Sequence, residues 1–335
     1  MQGTTETGTF DSEPAPHRRP VLRHAPTAGV WLPIGFVAVW TSIRLLGWEA
    51  GYPLIALIAF TPYMALGSLL PLLVALGTRR WRAAAVAGLL AGMLAVVVVP
   101  RALPDAQPRD GTGPRLRVLT ANLHLGEVPA AEVIALLRRT EPDVVAFEEL
   151  SPGAVRALDR AGISQLLPHR ILPNGISQDS ALYSRFPLRP VTDECDPVVA
   201  EPCALVEVAG APAVEVRAVH PAAPENSENT RKGQRSLAAL PPSRHAGPAR
   251  ILAGDFNATL DHASLRRLIG TGYRDAADSV GAGLRPTWSG PLAPPITIDH
   301  VLVDPRIGVR AVSTHRLSNT DHRAVLAELE LDTEA

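Results

Sequence analysis

The chain has 335 residues and a formal net charge of −1, and 46% of its residues are hydrophobic while only 19% are charged. Because a soluble domain carries about 25% charged residues, the apolar excess must sit in a particular part of the chain. The near-neutral charge excludes a general nucleic-acid coat protein. The two cysteines exclude a disulfide-dense scaffold and a four-cysteine zinc site.

Three apolar runs in the first hundred residues account for this excess, at about 30–47, 53–77 and 83–100. A helix that spans a membrane needs roughly 20 mainly apolar residues, and we predict three transmembrane helices here. The alternatives are buried core helices and, for the first run, a cleavable signal peptide. Because all three runs precede a sequence of ordinary mixed composition, we favour transmembrane helices over both alternatives.

Basic residues predict the orientation of these helices. They precede the first run or lie between the second and the third: Arg18, Arg19, Arg23, Arg79, Arg80 and Arg82. The positive-inside rule then predicts that residues 1–29 form a cytoplasmic tail without regular structure and that the chain after Pro100 is extracellular. Arg44 and Arg101 do not fit this pattern, and we expect both to reach a membrane interface. The expected location is therefore the cell membrane, with several crossings.

Residues 101–114 are rich in proline, glycine and small polar residues, which predicts a linker. The remainder, 115–335, has the length of one domain. Alternating apolar residues predict about nine strands, and helical spacing predicts four helices, at 129–140, 151–160, 229–240 and 261–269. Because strands predominate at the end, we predict an α+β fold in which two sheets form a sandwich with helices outside.

Polar side chains recur at the ends of the predicted strands. They are Asn122, Glu148, Glu149, His220, Asp255, Asn257, Asp299, His300, Asp321 and His322. Each one alone is more often a cap or a turn residue than a functional group. Together they bring carboxylates, amides and imidazoles to the mouths of several strands, where a divalent metal site rich in oxygen ligands is easily built.

Six motifs carry a resemblance to a known family: TANLH, DVVAFEEL, LYSRFPL, AGDFNAT, TIDHVLV and TDHRAVLAEL. Their order and spacing resemble the endonuclease/exonuclease/phosphatase superfamily, which includes DNase I-like nucleases, inositol-polyphosphate phosphatases and neutral sphingomyelinases. The resemblance covers 115–335 and implies a four-layer α/β/β/α sandwich with the site at one rim. It also implies hydrolysis of phosphate esters or anhydrides with Mg²⁺, or with Mn²⁺ in its place.

The same resemblance implies a set of metal ligands. Glu149 corresponds to the principal metal-binding glutamate, Asn122 to an asparagine that helps to hold the metal or the phosphate, and Asp321 to a further ligand. Glu148 stands where glutamine is common in the family, which leaves open whether it shares the metal.

The resemblance also implies the catalytic residues. Asp255 corresponds to the residue that orients or deprotonates the attacking water, and Asn257 to its phosphate-binding companion. His220 corresponds to a histidine that contacts the phosphate, and Asp299 to the carboxylate that orients His322. A cationic His322 would suit a negatively charged phosphate.

Cys195 and Cys203 flank the segment DPVVAEP between two predicted strands. If the domain is extracellular, the two cysteines could form a local disulfide. The alternative is a pair of free thiols. We favour the disulfide.

The charge of the predicted domain bears on its substrate. From residue 111 onward the chain has 23 basic and 27 acidic residues, whereas a duplex nuclease needs a basic face. Nucleic acid is therefore disfavoured as a partner, and a phosphorylated small molecule or lipid beside the bilayer is favoured. Three membrane helices followed by this domain resemble the VanJ-like teicoplanin-resistance membrane proteins of actinobacteria. That resemblance implies extracytoplasmic hydrolysis of polyprenyl (undecaprenyl) pyrophosphate. A surface nuclease or phosphodiesterase and a non-catalytic surface binding protein are the alternatives.

Overall fold

The computed structural model describes residues 27–105, 113–172, 179–191, 201–244, 246–291 and 293–332. The described chain begins with a helical module. Its helices are α1 (Thr27–Leu46), α2 (Leu54–Ile58), α3 (Thr61–Gly67), α4 (Leu69–Gly77) and α5 (Trp81–Val98), and a 3₁₀ turn, Val99–Ala102, extends α5. The predicted tail with Arg18, Arg19 and Arg23 lies almost entirely outside the described residues.

The prediction of one helix over 53–77 is wrong, because α2, α3 and α4 divide this segment. Prolines 53, 62 and 71 stand just before or within the first turn of α2, α3 and α4, respectively. A proline has no N–H to donate and favours a helix start over a helix interior. Two of the three predicted spans remain, because Gly29–Leu46 and Trp81–Ala102 are long and apolar enough to cross a membrane.

Two apolar clusters give the directions of these helices. The first joins Val30 of α1 to Ala75 of α4 and Ala83 of α5. The second joins Val37 of α1 to Ile58 of α2 and Leu94 of α5. Helices α1 and α5 are therefore parallel, while the segment from α2 to α4 runs back between their ends. The chain passes along the helical module three times although its middle pass is broken.

The outer surface of the helical module is apolar. Of the 25 large hydrophobic side chains that are exposed among the described residues, 23 lie between Trp31 and Leu103. The two others, Leu125 and Leu284, belong to the domain that follows. A contiguous apolar surface of this extent is typical of a protein or membrane contact.

Twelve strands lie in the described part of the domain that follows. They are β1 (Arg115–Asn122), β2 (Val144–Leu150), β3 (His169–Ile171), β4 (Asp179–Ser184), β5 (Leu188–Pro190), β6 (Cys203–Val206), β7 (Val214–Val219), β8 (Arg250–Asp255), β9 (Arg274–Asp275), β10 (Asp299–Val303), β11 (Gly308–Arg316) and β12 (Arg323–Glu330). They form two six-stranded sheets, with the orders β11-β12-β1-β2-β4-β3 and β5-β6-β7-β8-β10-β9. The three strands that the sequence did not predict, β3, β5 and β9, have two or three residues each, too few to show a period.

Five helices accompany these sheets: α6 (Ala130–Thr140), α7 (Pro152–Arg160), α8 (Ser227–Ala239), α9 (Ala263–Ile269) and α10 (Ala276–Ser279). Alternation along β1 shows the layering. Leu116 and Val118 pack between the two sheets, whereas Leu119 and Ala121 pack in the cluster that includes α6 and α7. A third cluster packs α8 and α9 on the other sheet. The predicted α/β/β/α sandwich is therefore confirmed.

A buried carboxylate joins the helical module to the sandwich. Asp261 accepts hydrogen bonds from Arg44 Nε at 2.6 Å and from Arg101 Nη1 and Nη2 at 2.8 and 2.7 Å. All three side chains are buried, so the expectation that Arg44 and Arg101 reach a membrane interface is wrong. Burial alone raises the pKa of Asp261, but Arg101 and Arg44 outweigh it and hold the pKa below its usual value.

Neighbouring contacts extend this junction. Glu49 accepts a hydrogen bond from the Ala263 N–H, and Arg266 Nη2 donates to the Arg44 carbonyl at 2.7 Å. Of the predicted linker, Asp105 donates its N–H to the Ser279 carbonyl at 2.9 Å, while residues 106–112 lie outside the described part. The helical module is thus packed against the sandwich at the ends of α1 and α5.

The predicted disulfide involves one described residue. Cys203, at the start of β6, is disulfide-bonded. Cys195 lies outside the described residues, so the pairing of the two stays a prediction.

Candidate active site

The topology brings the polar strand ends to one rim of the sandwich. β1 runs parallel to β2, and β7 runs parallel to β8, so the ends of each pair meet at the same edge. β10 is antiparallel to β8 and places Asp299 opposite Asp255. β12 is antiparallel to β1, so its start lies beside the end of β1, where Thr320 Oγ1 donates to the Asn122 carbonyl at 3.2 Å.

Strand alternation turns these side chains toward the space between the sheets. Val216 and Ala218 of β7, and Ile251 and Ala253 of β8, pack in the inter-sheet core. Two positions further along each strand come His220 and Asp255. Because successive residues of a strand face opposite sides, each polar side chain continues the inter-sheet face of its strand. The core thus ends in a polar cluster at the rim.

Glu149 departs from this alternation. It has a left-handed backbone conformation with φ of 54°, and the pairing of β2 with β4 is irregular between Phe147 and Leu150. This irregularity turns the Glu149 side chain into the cleft, where its Oε2 accepts a hydrogen bond from the Leu125 N–H at 3.0 Å. Local backbone strain of this kind is common at functional sites.

Glu148 lies beneath the cleft and is completely buried. Its Oε1 accepts a hydrogen bond from Thr120 Oγ1 at 2.9 Å, while its Oε2 has no hydrogen-bond partner among the described residues. Burial first, and then the carboxylates of Asp299 and Asp255, raise the pKa of Glu148 well above its usual range. This raised pKa favours the protonated form of Glu148, whose shape resembles that of glutamine.

Asn122 links two carboxylates of the cleft. Its Nδ2 donates to Glu149 Oε1 at 2.9 Å and to Asp255 Oδ2 at 3.2 Å. Its Oδ1 accepts a hydrogen bond from the His124 N–H at 2.9 Å. In this arrangement the Asn122 amide holds the two carboxylates together, and its predicted role as a metal ligand stays a prediction.

His322 and Asp299 form a buried ion pair. His322 Nδ1 lies 3.1 Å from both Asp299 carboxylate oxygens, and His322 Nε2 lies 3.7 Å from Asp255 Oδ2. Burial alone lowers the pKa of His322, but Asp299 and Asp255 outweigh it and raise the pKa to about 10. His322 therefore carries a positive charge at neutral pH and turns Nε2 toward Asp255.

His220 lies across the cleft from this pair. Its Nε2 is 3.7 Å from Glu149 Oε1 and 3.8 Å from Asp255 Oδ2. Its backbone N–H donates to the buried Glu201 carboxylate at 3.1 Å. Burial raises the pKa of Glu201 to about 7. This contact positions the backbone from which His220 reaches the site.

Asn257 has a left-handed conformation with φ of 48°. Its N–H donates to Asp255 Oδ1 at 2.8 Å, and its Nδ2 donates to the Pro221 carbonyl at 3.0 Å. These contacts orient Asp255 and hold the loop after His220, while the predicted contact of Asn257 with phosphate stays a prediction. His300 points elsewhere, because its ring nitrogens contact Asp275 at 2.6 Å and the Ala258 carbonyl at 2.9 Å.

Asp321 lies at the mouth of the cleft. Its Oδ2 accepts a hydrogen bond from Trp288 Nε1 at 2.7 Å. Its Oδ1 has no hydrogen-bond partner among the described residues and lies 3.5 Å from His124 Nδ1 and 3.8 Å from His322 Nε2. The sequence analysis missed Trp288, although an indole N–H is a common means of orienting a carboxylate.

These residues fit the divalent metal that the resemblance implies. Glu149, Asp255, Asp299 and Asp321 bring four carboxylates to a site that also contains several histidines. Carboxylate oxygens of Asp255 and Asp299 lie within 4.8 Å of each other, beside His322. The unpartnered Asp321 Oδ1 and the carboxylate oxygens are hard donors of the type that Mg²⁺ and Ca²⁺ take.

The cleft itself is a cavity of about 690 Å³. The polar cluster lines one side. The other side includes Ala56, Ala59 and Phe60, which belong to the helical module. The buried His262 lies there too. None of these four residues was singled out by the sequence analysis, because no local pattern relates the segment 56–60 to residues two hundred positions later.

Several solved structures are similar to this chain in fold. An AP endonuclease from Archaeoglobus fulgidus aligns with a TM-score of 0.51 at 14% identity, over 63% of this chain and 98% of that one. Humanised D. rerio TDP2 aligns with a TM-score of 0.51 at 17% identity, over 64% and 99%. The 3′ phosphatase NExo from Neisseria, bound to a product DNA hairpin, aligns with a TM-score of 0.50 at 19% identity, over 64% and 99%. No curated protein matches the sequence.

The family comparison agrees with the motifs and with the fold. The family described as Endonuclease/Exonuclease/phosphatase matches residues 119–322, a range that begins in β1, contains the polar cluster and ends at His322. Enzymes of this family are metal-dependent hydrolases of phosphoester bonds. The chain therefore belongs to the endonuclease/exonuclease/phosphatase family.

Proposed function

We propose that this protein is a membrane-anchored hydrolase that uses a divalent metal, Mg²⁺ or Mn²⁺, to cleave a lipid-linked phosphate ester or anhydride outside the cell, a polyprenyl pyrophosphate in particular. The observation that carries the proposal is the composition of the cleft. One cavity joins the carboxylates and histidines of the family site to apolar residues of the helical module. A substrate with a charged head and an apolar chain matches both sides.

The arrangement of the helices supports the orientation. Arg44 near the end of α1 and Arg101 after α5 both contact Asp261, so both helices run toward the sandwich. Arg79, Arg80 and Arg82 lie at the opposite end of the module. The positive-inside rule assigns that end to the cytoplasm. The sandwich then lies at the outer surface of the membrane, directly beside the headgroups.

The charge of the cleft supports a lipid over a nucleic acid. Within the described part of the chain, no arginine or lysine lines the cavity. A protein that binds a duplex neutralises several phosphates with basic side chains. A single phosphate or pyrophosphate group needs fewer charges, and a metal together with the cationic His322 supplies them.

The residues of the cleft divide the chemistry among them. A bound divalent ion would neutralise charge on the phosphoryl oxygens and so favour attack by water. Asp255 orients the attacking water through its carboxylate oxygens and takes its proton. The protonated His322, held by Asp299, and His220 donate hydrogen bonds to phosphate oxygens, and Asn257 assists them.

A substrate panel on the full-length protein in nanodiscs tests the proposal. It compares polyprenyl pyrophosphate, sphingomyelin, inositol phosphates and plasmid DNA with Mg²⁺, with Mn²⁺ and with EDTA. We expect metal-dependent release of phosphate from the polyprenyl pyrophosphate at a rate well above the others. Preferred cleavage of DNA would support a surface nuclease instead, and no turnover of any substrate would support a non-catalytic binding protein.

Two cellular measurements test the remaining parts. A C-terminal alkaline phosphatase fusion should be active, and an active cytoplasmic reporter at the same position would contradict the orientation. The proposal also includes a link to teicoplanin resistance, which rests on the resemblance in architecture. Expression of the protein in a sensitive host should raise the tolerated teicoplanin concentration, and the Asp255→Asn variant should not.

A further inference from the structure

The apolar side of the cleft comes from a different part of the chain than its polar side. Ala56, Ala59 and Phe60 follow one another at α2 and in the turn after it, and they face the cavity that also contains Glu149 and His322. A cavity of about 690 Å³ is within the range of small-molecule sites. We call the three residues Ala56, Ala59 and Phe60 the helical wall.

The helical wall is held firmly against the sandwich. Beside it, Tyr63 Oη donates to the Pro295 carbonyl at 2.7 Å, and the ion pairs of Asp261 with Arg44 and Arg101 secure the ends of α1 and α5. The helical wall is therefore a fixed part of the site, and the helical module and the sandwich line one binding cavity together.

A smaller cavity adjoins the cleft beside the helical module. Ala59 and Ile296 line both the cleft and this cavity of about 90 Å³, which also includes Leu284 and the paired Arg101 and Asp261. Leu284 is one of the two exposed large apolar side chains of the described sandwich, and the other, Leu125, lines the cleft itself. Both of these exposed side chains thus border a cavity that the sandwich shares with the helical module.

We propose that the helical wall binds the apolar chain joined to the phosphate, so that the helical module selects substrates as well as anchoring the protein. This inference rests on the proposed function, since it takes a lipid-linked phosphate as the substrate. The carbons beyond the first isoprene unit of the chain lie against Ala56 and Ala59, where small side chains leave room for them. The remainder of the chain passes along the exposed apolar face of the helices into the bilayer.

The test compares two substrates that share the same anhydride and differ in chain length, a polyprenyl pyrophosphate and isopentenyl pyrophosphate. The Ala56→Trp variant of the full-length protein fills the space beside the wall. Ala85→Trp is the matched control, because Ala85 is an exposed alanine of α5 that does not line the cleft. Ala56→Leu serves as a milder variant, and thermal unfolding in nanodiscs reports the fold of each protein.

We expect Ala56→Trp to lower kcat/KM for the polyprenyl pyrophosphate by about tenfold or more, because pocket contacts with a few methylene groups are worth about 10–200-fold. Turnover of isopentenyl pyrophosphate should change less than twofold, and Ala85→Trp should change neither. An equal loss for both substrates, or no loss for either, in a folded Ala56 variant would overturn the role of the wall. If the unaltered protein does not hydrolyse the polyprenyl substrate at all, the proposed function itself fails, and this outcome is separate from the first.

Discussion

Asp299 and His322 should behave as one catalytic unit, which a double-mutant cycle can reveal. The perturbations are Asp299→Ala, His322→Ala and both together. His322 Nδ1 lies 3.1 Å from both oxygens of Asp299, and both side chains are buried. Loss of either partner leaves the other without its charge or without its orientation, so the second substitution has little left to remove.

The distance sets the magnitude. Two unit charges about 3.1 Å apart interact by about 5 kcal/mol at an effective dielectric constant of about 20, which corresponds to about 4 pKa units. This interaction is large enough to explain why the pKa of His322 is raised to about 10 despite burial. Without Asp299, His322 loses the strongest of the charges that oppose its burial, and its pKa falls. Each single substitution should therefore lower kcat/KM by about 10²–10⁴-fold.

The assay is the initial rate of phosphate release by full-length protein with saturating Mg²⁺ on the best substrate of the panel. Arg189 and Glu207 supply the matched control, since this pair has a similar separation of 2.7 Å but is 69% and 45% exposed. Exposed pairs contribute about 0–1 kcal/mol, so the control substitutions should leave the rate unchanged.

The double-mutant cycle distinguishes a coupled pair from two independent residues. If the pair acts as a unit, the double variant should lie within about threefold of the weaker single variant. A double variant whose loss equals the product of the two single losses would show that Asp299 and His322 act independently. That result would refute the reasoning from the ion pair.

Three further predictions follow from other carboxylates. Glu149→Gln should abolish most metal-dependent hydrolysis at every Mg²⁺ concentration, whereas Glu148→Gln should be mild, because the raised pKa of Glu148 favours the protonated form that glutamine resembles. The reverse result would move the ligand to Glu148, and activity unaffected by EDTA would reject the metal. Burial raises the pKa of Glu201 from 4.5 to about 7, so between these pH values the folded state keeps a proton that the unfolded state has released, and stability falls as pH rises from about 4.5 to 7. Glu201→Gln should remove this loss of up to about 3 kcal/mol and flatten the dependence of Tm on pH in that range, and an unchanged slope would contradict this. Glu215 accepts hydrogen bonds from Arg250 Nε and Nη2 at 2.7 and 2.8 Å in the core. Glu215→Ala should therefore lower the free energy of unfolding by about 3–5 kcal/mol. A loss below about 1 kcal/mol in urea unfolding would rule out a stabilising role for this ion pair.

Local pattern was sufficient for the layers of the sandwich and for the identity of the rim residues. The strands β1, β2, β7 and β8 could be recognised in the sequence as short runs rich in apolar and β-branched residues, because both faces of each strand are buried. The polar side chains at the ends of these runs, Asp255 among them, stood out for the same reason. The short strands β3, β5 and β9 could not be predicted, since two or three residues carry no period.

The roles of Glu148 and Glu149 could not be separated from the sequence. Two adjacent glutamates at a strand end are equivalent in pattern, and simple alternation would turn Glu148, not Glu149, toward the inter-sheet rim. Glu148 keeps that direction beneath the cleft, while the left-handed conformation of Glu149 and the irregular pairing of β2 bring Glu149 into the cleft above it. Such a bulge depends on how β2 meets β4 and on the space at the rim, which a single segment does not specify.

By itself the sequence determined the apolar runs, the strand periodicity and the ordered motifs of the family, because each of these depends on residues that are neighbours along the chain. Only the tertiary structure decided that Arg44 and Arg101 pair with Asp261 and that Ala56, Ala59 and Phe60 complete the cleft. Arg44 and Arg101 are separated from Asp261 by 217 and 160 positions along the chain. A charge in an apolar run must be paired when it is buried, but the position of its partner follows only from the packing of the whole chain.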